Sequence, residues 1–491
     1  MTIEDYRKER LKKLEKLREL NIDPYPAKSH RTVEVGELVS DFDEIMQDIE
    51  AGRNGASVNV VGRITGIRSF GKLIFITLED ATGKIQLFLK TGQLDPFDAE
   101  HNLGLENIKL LDVGDFIEAT GDLGKSQTGE ISIFVQSLRL LTKSLRPLPE
   151  KLESKEERLR RRYVDMNVNP EVRERFLRRS KFWQATRDFL NSRGFVEINT
   201  PVLEHTTGGA DANPFKTHMD ALQQDFYLRI SHELPLKRLI GAGFERVYDI
   251  GPRFRNEGLS EEHLPEHIAM ESYAAYQDYR DGMELYEAMI KHVAKETWGT
   301  LQFTHGDMTA DLDCEWPVIA YPDIMKDRFD IDVFNPDLDQ LKSILRQHKV
   351  TFDDGASTSR LLDYAWKIIR RDSAGPFWLV HEPLEISPLA KQHQADPRVT
   401  ERFHPIIFGT EMGNGYSELN DPLDQLNRMQ EQQNMRDAGD DEAQMLDMDY
   451  VEMLEYGMPP TCGWGNSERN FWLLEGVTAR EGVPFPPMRR G

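Results

Sequence analysis

The sequence predicts an α+β protein in two parts: a small five-stranded barrel, then a larger domain in which an antiparallel sheet is flanked by helices. Three observations carry this reading. Residues 57–141 run as short alternating strands broken by turn chemistry, and the later sequence alternates strand patterns with helical ones. At 491 residues with ordinary apolar content, the chain is also long enough for more than one core.

Residues 1–56 read as a helix and connector. The first helix carries a basic tract from Arg7 to Arg18, but Glu4, Asp5, Glu9, Glu15 and Glu19 interleave with it, a pattern that also suits a solvated face. Five strand candidates follow at 58–67, 73–79, 84–89, 115–121 and 130–140, with Asp80-Ala81-Thr82-Gly83 as a turn between the second and third. Five short strands in this order suggest a Greek-key barrel of the OB type over residues 57–146, a fold that commonly binds single-stranded nucleic acid on one face. Phe75, Gln86 and Phe88 are candidates for that face, where an aromatic ring stacked on a base contributes roughly 1–3 kcal/mol. The alternation equally allows Phe75 and Phe88 to be barrel core. Pro147 and Pro149 mark the exit, and the charged residues 147–165 read as a linker.

The larger domain spans 166–491. Apolar residues at helical spacing (Phe176, Phe182, Trp183, Phe189, Leu190) predict a helix closed by Gly194, followed by a strand over 195–200 and Pro201. Further strands are expected at 227–230, 247–257, 267–273, 377–380 and 406–418. In the hairpin formed by 247–257 and 267–273, period two puts Arg253, Arg255 and Glu257 on one face and His267, Ala269, Glu271 and Tyr273 on one face of the return strand. Such a hairpin lays cations, carboxylates and aromatic rings on one floor; by itself it also suits a solvated edge. Gly463-Trp464-Gly465-Asn466-Ser467-Glu468-Arg469 reads as a glycine turn with Arg469 at the start of a helix over 470–474, where backbone approaches a ligand closely.

Composition narrows the function classes. No stretch is long and apolar enough to cross a bilayer, and the first residues lack a basic-then-apolar leader pattern, so a cytoplasmic protein is expected. Only Cys314 and Cys462 are present, which excludes a disulfide framework or a cysteine zinc site and suits a reducing compartment; Cys462 reads as packing. A formal net charge of -23 argues against bulk-charge binding of polyanions, so any nucleic-acid contact must be local.

Taken together, Phe254-Arg255-Asn256-Glu257 and the Gly463–Arg469 segment resemble motifs 2 and 3 of the class II aminoacyl-tRNA synthetases, and residues 176–201 resemble motif 1. The resemblance runs almost end to end and is nearest to the lysyl-tRNA synthetases, through Ser231-His232-Glu233-Leu234, Gly243-Phe244-Glu245-Arg246-Val247, Ser387-Pro388-Leu389-Ala390 and Gly413-Asn414-Gly415-Tyr416-Ser417-Glu418-Leu419-Asn420-Asp421, among other blocks. It implies a homodimer formed through motif 1, with tRNA(Lys), L-lysine and ATP as partners, and formation of lysyl-adenylate before transfer to tRNA. It implies that Arg255 and Arg469 are catalytic, and that ATP is held by Arg255, Glu257, His263, His267, Glu411 and Arg469. Lysine would meet Glu233, Arg255, Glu271, Tyr273, Asn414, Tyr416 and Glu418, and the anticodon Arg68, Phe75 and Gln86. Lysine also agrees with the charges, because a desolvated ammonium needs carboxylate partners; each glutamate alone equally suits the surface, and the motif match makes the difference.

Three positions depart from the family pattern. His404 stands where a second magnesium carboxylate is usual, seven residues before the magnesium ligand implied at Glu411; a histidine is a poor ligand for a hard cation. His267 stands where a phenylalanine stacks on adenine, and an ordinary histidine titrates near neutrality, which would make adenine binding pH-dependent. Trp464 brings a bulky side chain into what reads as a tight loop. The alternatives are an aspartyl- or asparaginyl-tRNA synthetase, a lysine ligase acting on elongation factor P, and a non-catalytic RNA-binding paralogue; retention of Arg255, Glu257 and Arg469 speaks against the last.

Overall fold

A computed structural model describes residues 2–53, 55, 57–71, 73–210, 212–353, 355–439 and 443–489; the expected domain limits at 1, 56 and 491 lie outside this set. The chain divides into two compact units, 1–152 and 153–491. In the first, strands β1 (Ser57–Phe70), β2 (Leu73–Glu79), β3 (Lys84–Lys90), β4 (Phe116–Lys125) and β5 (Ile131–Thr142) close into a barrel in the order β1-β2-β3-β5-β4. The β2–β3 turn forms as its residues dictate: the Asp80 carboxylate accepts from the backbone N–H groups of Thr82 (2.7 Å) and Gly83 (3.0 Å). Strand period decides the core, with Ile76, Leu78, Leu87 and Leu89 wholly buried. Phe75 and Phe88 fall on the opposite face and are only half-buried, so they are not barrel core. The N-terminal helix, Ile3–Glu19, belongs to the same unit, where Arg10 donates to Val113 O (2.9 Å) and Ser144 O (3.1 Å). Part of its basic tract is thus committed to packing rather than to solvent.

The second unit is built on a nine-stranded sheet. Its order runs Val318–Ala320, Phe377–Val380, Arg402–Ile407, Gly413–Ser417, Thr461–Ser467, Glu266–Ala275, Arg246–Phe254 and Val196–Glu197, with Thr410–Glu411 pairing outside this path. The middle is antiparallel as expected, whereas the outermost pair at each end is parallel. The helix Pro170–Ser192 buries Phe182, Trp183, Phe189 and Leu190 in the main core with the helix Tyr279–Trp298, and Gly194 follows it at φ +79°.

Four expectations change. The residues 406–418 are a hairpin, not one strand, because Phe408 and Gly409 both take positive φ (51° and 66°) and turn the chain. Strand 224–228 pairs in a separate three-stranded sheet. The strand after the helix Pro170–Ser192, Val196–Glu197, is only two residues long. The segment read as a linker contains two short helices, Lys155–Arg160 and Arg162–Val168, held by Arg158 and Arg162 on the buried Asp165 (2.7 and 2.8 Å). Among the described residues no helix is long and apolar enough to cross a membrane.

Candidate active site

Register across four adjacent strands builds the site. Arg253 pairs with His267 and Asp249 with Glu271; Glu271 then pairs with Gly465 and Tyr273 with Gly463, and these glycines pair onward with Asn414 and Tyr416. Directly opposed residues share a face, so one floor carries all these side chains. Its central row is glycine for a steric reason: a Cβ on Gly463 would lie 2.2 Å from Glu418 Oε1, and one on Gly465 would lie 2.8 Å from Glu271 Cγ. The Gly463–Arg469 segment is therefore not a loop. Residues 461–467 are strand, the missing side chains make room for Glu418, Tyr273 and Glu271, and Trp464 is buried in the core edge-on to Tyr286 (5.4 Å). The helix Arg469–Glu475 follows at once, which puts Arg469 at the rim.

A cavity of about 470 Å³ opens over this floor. Its lining includes Glu233, Glu271 and Glu418 at one end, Arg255, Glu257, His263, His267 and Arg469 at the other, and Tyr273, His404, Glu411, Asn414 and Tyr416 between neighbouring strands. The strand that carries Arg253 stops at Phe254, so Arg255 and Glu257 reach the cavity from the chain beyond it; the Arg255 N–H still donates to Pro265 O (2.8 Å).

At the acidic end the carboxylates are partnered unevenly. Glu271 accepts from Ser231 Oγ (2.8 Å), the His232 N–H (3.3 Å) and the Tyr273 hydroxyl (3.1 Å), with Arg253 at 3.7 Å. Burial pushes its carboxyl up, but the His232 ring, Arg253 and the Ser231 bond outweigh that and bring it down to about 2. Glu233 accepts from the Tyr416 hydroxyl and from Lys237 Nζ (2.5 Å), and Glu418 pairs with the same ammonium through Oε2. Glu418 Oε1 is buried without a hydrogen-bond partner. Burial, with Glu233 as a second nearby negative charge, holds the Glu418 carboxyl well above its ordinary value despite Lys237. This end is short of positive charge.

At the basic end Arg469 donates to His263 Nε2 (2.7 Å), and the His263 ring also meets Ser260 Oγ (2.8 Å). His267 accepts at Nε2 from Arg253 Nε (2.8 Å), and its Nδ1 lies 3.3 Å from Leu264 O. With one nitrogen accepting and the other facing a carbonyl, the ring is fixed as a neutral tautomer. Burial, Arg253 and Arg255 together hold its pKa well below the ordinary value, so the expectation that it titrates near neutrality is corrected.

The site residues toward a divalent cation fit only in part. Glu411 accepts at Oε1 from the Trp366 indole N–H (2.8 Å), with Arg370 Nε at 3.6 Å. His404 Nδ1 faces Gly413 O at 3.2 Å, Nε2 lies 3.3 Å from Glu382 Oε2 without a hydrogen bond to it, and an imidazole is a poor ligand for a hard cation. Among the described residues no cluster of three histidine, cysteine or carboxylate side chains is arranged to hold an ion. Lys237, Trp366, Glu382 and Arg402 were not legible as site residues; Arg402 donates to Asn414 Oδ1 (2.9 Å) and pairs with Glu382 (2.9 Å). Glu233 and Lys237, four apart on a helix, carried the one available signal.

On the barrel, Arg68, Phe70, Phe75 and Gln86 line one groove, and Phe70, Phe75, Phe88 and Phe134 form a chain of rings with centroids 5.2–6.1 Å apart.

Comparison with known proteins matches this architecture unit by unit. Residues 154–489 match the family described as tRNA synthetases class II (D, K and N), and 58–141 match the OB-fold nucleic acid binding domain. The lysine–tRNA ligase of Thermotoga maritima is 41% identical over 99% of this chain and 96% of its own length. The chain belongs to the lysine–tRNA ligase family. Other members are as similar: the lysine–tRNA ligase of a Roseiflexus species is 42% identical, covering 100% of this chain and 99% of its own, and that of Trichormus variabilis is 41% identical, covering 100% and 88%. Family membership thus agrees with the barrel and the sheet.

Proposed function

We infer that the protein activates L-lysine with ATP to lysyl-adenylate and pyrophosphate, then transfers lysine to the 3′ end of tRNA(Lys). The observation that carries the choice of lysine is the acidic end of the cavity, where three buried carboxylates converge and Glu418 Oε1 has no partner. A buried, under-neutralised carboxylate favours an incoming ammonium, because that cation supplies the charge the site lacks. Glu418 would take the ε-ammonium beside Tyr273, with Glu233 and Glu271 toward the α-amino group and Asn414 and Tyr416 completing the wall. An aspartyl or asparaginyl substrate would instead place a carboxylate or a neutral amide against these groups.

In the reaction the lysine carboxylate attacks the α-phosphorus of ATP: a carboxylate–phosphorus bond forms, the bridging bond to the β-phosphate breaks, and pyrophosphate leaves with the electron pair. The side chains contribute position and charge compensation. Arg255 would neutralise the carboxylate and the α-phosphate, and Arg469, backed by neutral His263, the outer phosphates. Glu257 would accept from the adenine amino group, and the neutral ring of His267 would stack. Magnesium, when bound, would offset phosphate charge; Glu411 fits as its carboxylate ligand, with water and phosphate oxygens as the remainder, and His404 does not. The barrel groove with Arg68, Phe75 and Gln86 would read the anticodon. A homodimer through the motif 1 helix, a cytoplasmic location, and domain limits at 56, 146 and 165 complete the reading.

The test is amino-acid-dependent exchange of pyrophosphate into ATP. Exchange with lysine and no other standard amino acid is expected; exchange driven by aspartate or asparagine would overturn the assignment of the acidic end.

A further inference from the structure

Lys237 lies behind the floor of the cavity, one helical turn after Glu233, with its side chain wholly buried. Its ammonium joins two carboxylates carried by different elements: Glu233 at the start of a helix (2.5 Å from Oε1) and Glu418 just beyond the strand Gly413–Ser417, through Oε2. The rings of Tyr416 and Tyr450 flank the same nitrogen at 5.3 and 5.8 Å. The ammonium has three N–H groups in tetrahedral array, so partners on two of them hold both carboxylates at a set separation. The consequence for Glu418 is asymmetric. Neither oxygen has a hydrogen bond of normal geometry, but Oε2 is ion-paired with Lys237, while Oε1, buried and with no such partner, adjoins the cavity between Gly463 and Tyr273.

We propose that Lys237 is a specificity-determining positioning residue that acts as the spacer of the lysine site, fixing the distance between Glu233 and Glu418 and leaving one oxygen for one substrate ammonium. This rests on the reading that Glu418 receives the substrate side chain. A site whose two anchoring carboxylates are held at a set separation measures chain length. An α-amino acid whose terminal ammonium is one methylene closer leaves Glu418 Oε1 unpaired, and it is rejected for that reason rather than by a steric wall. A direct contact to substrate is not part of this role, since Lys237 does not line the cavity.

The experiment compares lysine with ornithine in pyrophosphate exchange for the wild-type protein, Lys237→Met and Lys237→Arg, with KM and kcat determined for each amino acid and for ATP. One methylene is ordinarily worth about 10- to 200-fold in discrimination. Both variants are expected to lose roughly tenfold or more of the lysine-over-ornithine preference, mainly through a raised KM for lysine, with the KM for ATP within about twofold of wild type. Lys237→Arg keeps the buried charge and covers the case in which Lys237→Met does not fold; its larger planar head still alters the spacing. Wild-type preference in any variant that folds would overturn the proposal and leave Lys237 as a structural counter-ion. A wild-type protein that exchanges with aspartate or asparagine and not with lysine would instead overturn the underlying reading of the site, so the two failures are distinct.

Discussion

Gly463→Ala separates the two halves of the cavity with one methyl group. The added Cβ would meet Glu418 Oε1 and Tyr273 Cε1, each at 2.2 Å, where ordinary contact begins at 3.4 Å. Each neighbour must retreat by roughly 1 Å, and neither does so freely in a close-packed interior. Glu418 is 1% exposed and tied to Lys237; Tyr273 is 3% exposed and hydrogen-bonded to Glu271 at 3.1 Å. Overpacking of this kind costs about 1–3 kcal/mol of stability. For function, the displaced oxygen is the one assigned to the lysine ammonium, and a hydrogen bond to a charged group is worth about 1.5–3 kcal/mol. At about 1.4 kcal/mol per tenfold, the KM for lysine should rise roughly 10- to 100-fold. The three atoms nearest to the new methyl all belong to Glu418 and Tyr273, so the KM for ATP should stay near wild type. Pyrophosphate exchange with lysine and then ATP varied gives both values, and a melting curve shows whether the variant is folded. A folded variant whose lysine KM is unchanged, or whose lysine and ATP constants rise together, would refute the reasoning.

Four further outcomes follow from the structure. Burial and Glu233 raise the Glu418 carboxyl in the free protein, and an incoming ammonium favours its ionised form, so lysine binding should release protons and tighten as pH rises toward that raised pKa, levelling off above it. Calorimetry in buffers of different ionisation enthalpy reads the protons directly. ATP affinity should show no step from His267 near neutrality, because burial, Arg253 and Arg255 hold its pKa well below the ordinary value; a step that disappears in His267→Phe would count against the neutral tautomer of His267. On the barrel, Phe75→Ala should weaken tRNA charging through KM by about 1–3 kcal/mol while leaving pyrophosphate exchange intact, and equal loss of both would contradict the groove assignment. Finally, Trp366→Phe keeps the ring but removes the N–H donor from Glu411, so the magnesium concentration for half-maximal exchange should rise several-fold with lysine KM unchanged.

How much of this was legible in the sequence depends on the range of the signal. The barrel strands were legible because period two and an Asx turn are local properties, and the observed ends differ by only a few residues. The hairpin floor was legible for the same reason up to Phe254. Beyond it, the pattern that put Arg255 and Glu257 on a strand face failed, since alternation of charges cannot reveal where pairing stops. Gly463 and Gly465 announced themselves as glycines, but their reason was hidden: the atoms a Cβ would strike belong to Tyr273, Glu418 and Glu271, which are remote in sequence. Lys237 was invisible because nothing in a single Glu-x-x-x-Lys distinguishes a surface pair from a buried one, and its second partner lies 181 positions away. His267 was misread because its ordinary pKa was used, when Arg253 and Leu264 O decide its state.

The arrangement of charge also reconciles a chain of net charge -23 with a nucleotide substrate. Cations are gathered locally: Arg253, half-buried and pulled down to about 9 by desolvation and then by Arg255, stands between the basic end and Glu271. From it toward Arg255 and Arg469 the cavity is cationic, and from it toward Glu233 and Glu418 it is anionic. An amino acid with a carboxylate at one end and ammonium groups at the other has one favourable orientation in such a field, with its carboxylate beside the phosphates and its side chain in the acidic end. The same polarity disfavours the reverse orientation twice over, since it would bring carboxylate to carboxylates and ammonium to guanidinium. On the proposed reading, orientation of the attacking group would be set before any contact specific to the transition state is made, and the glycine row leaves the space for it.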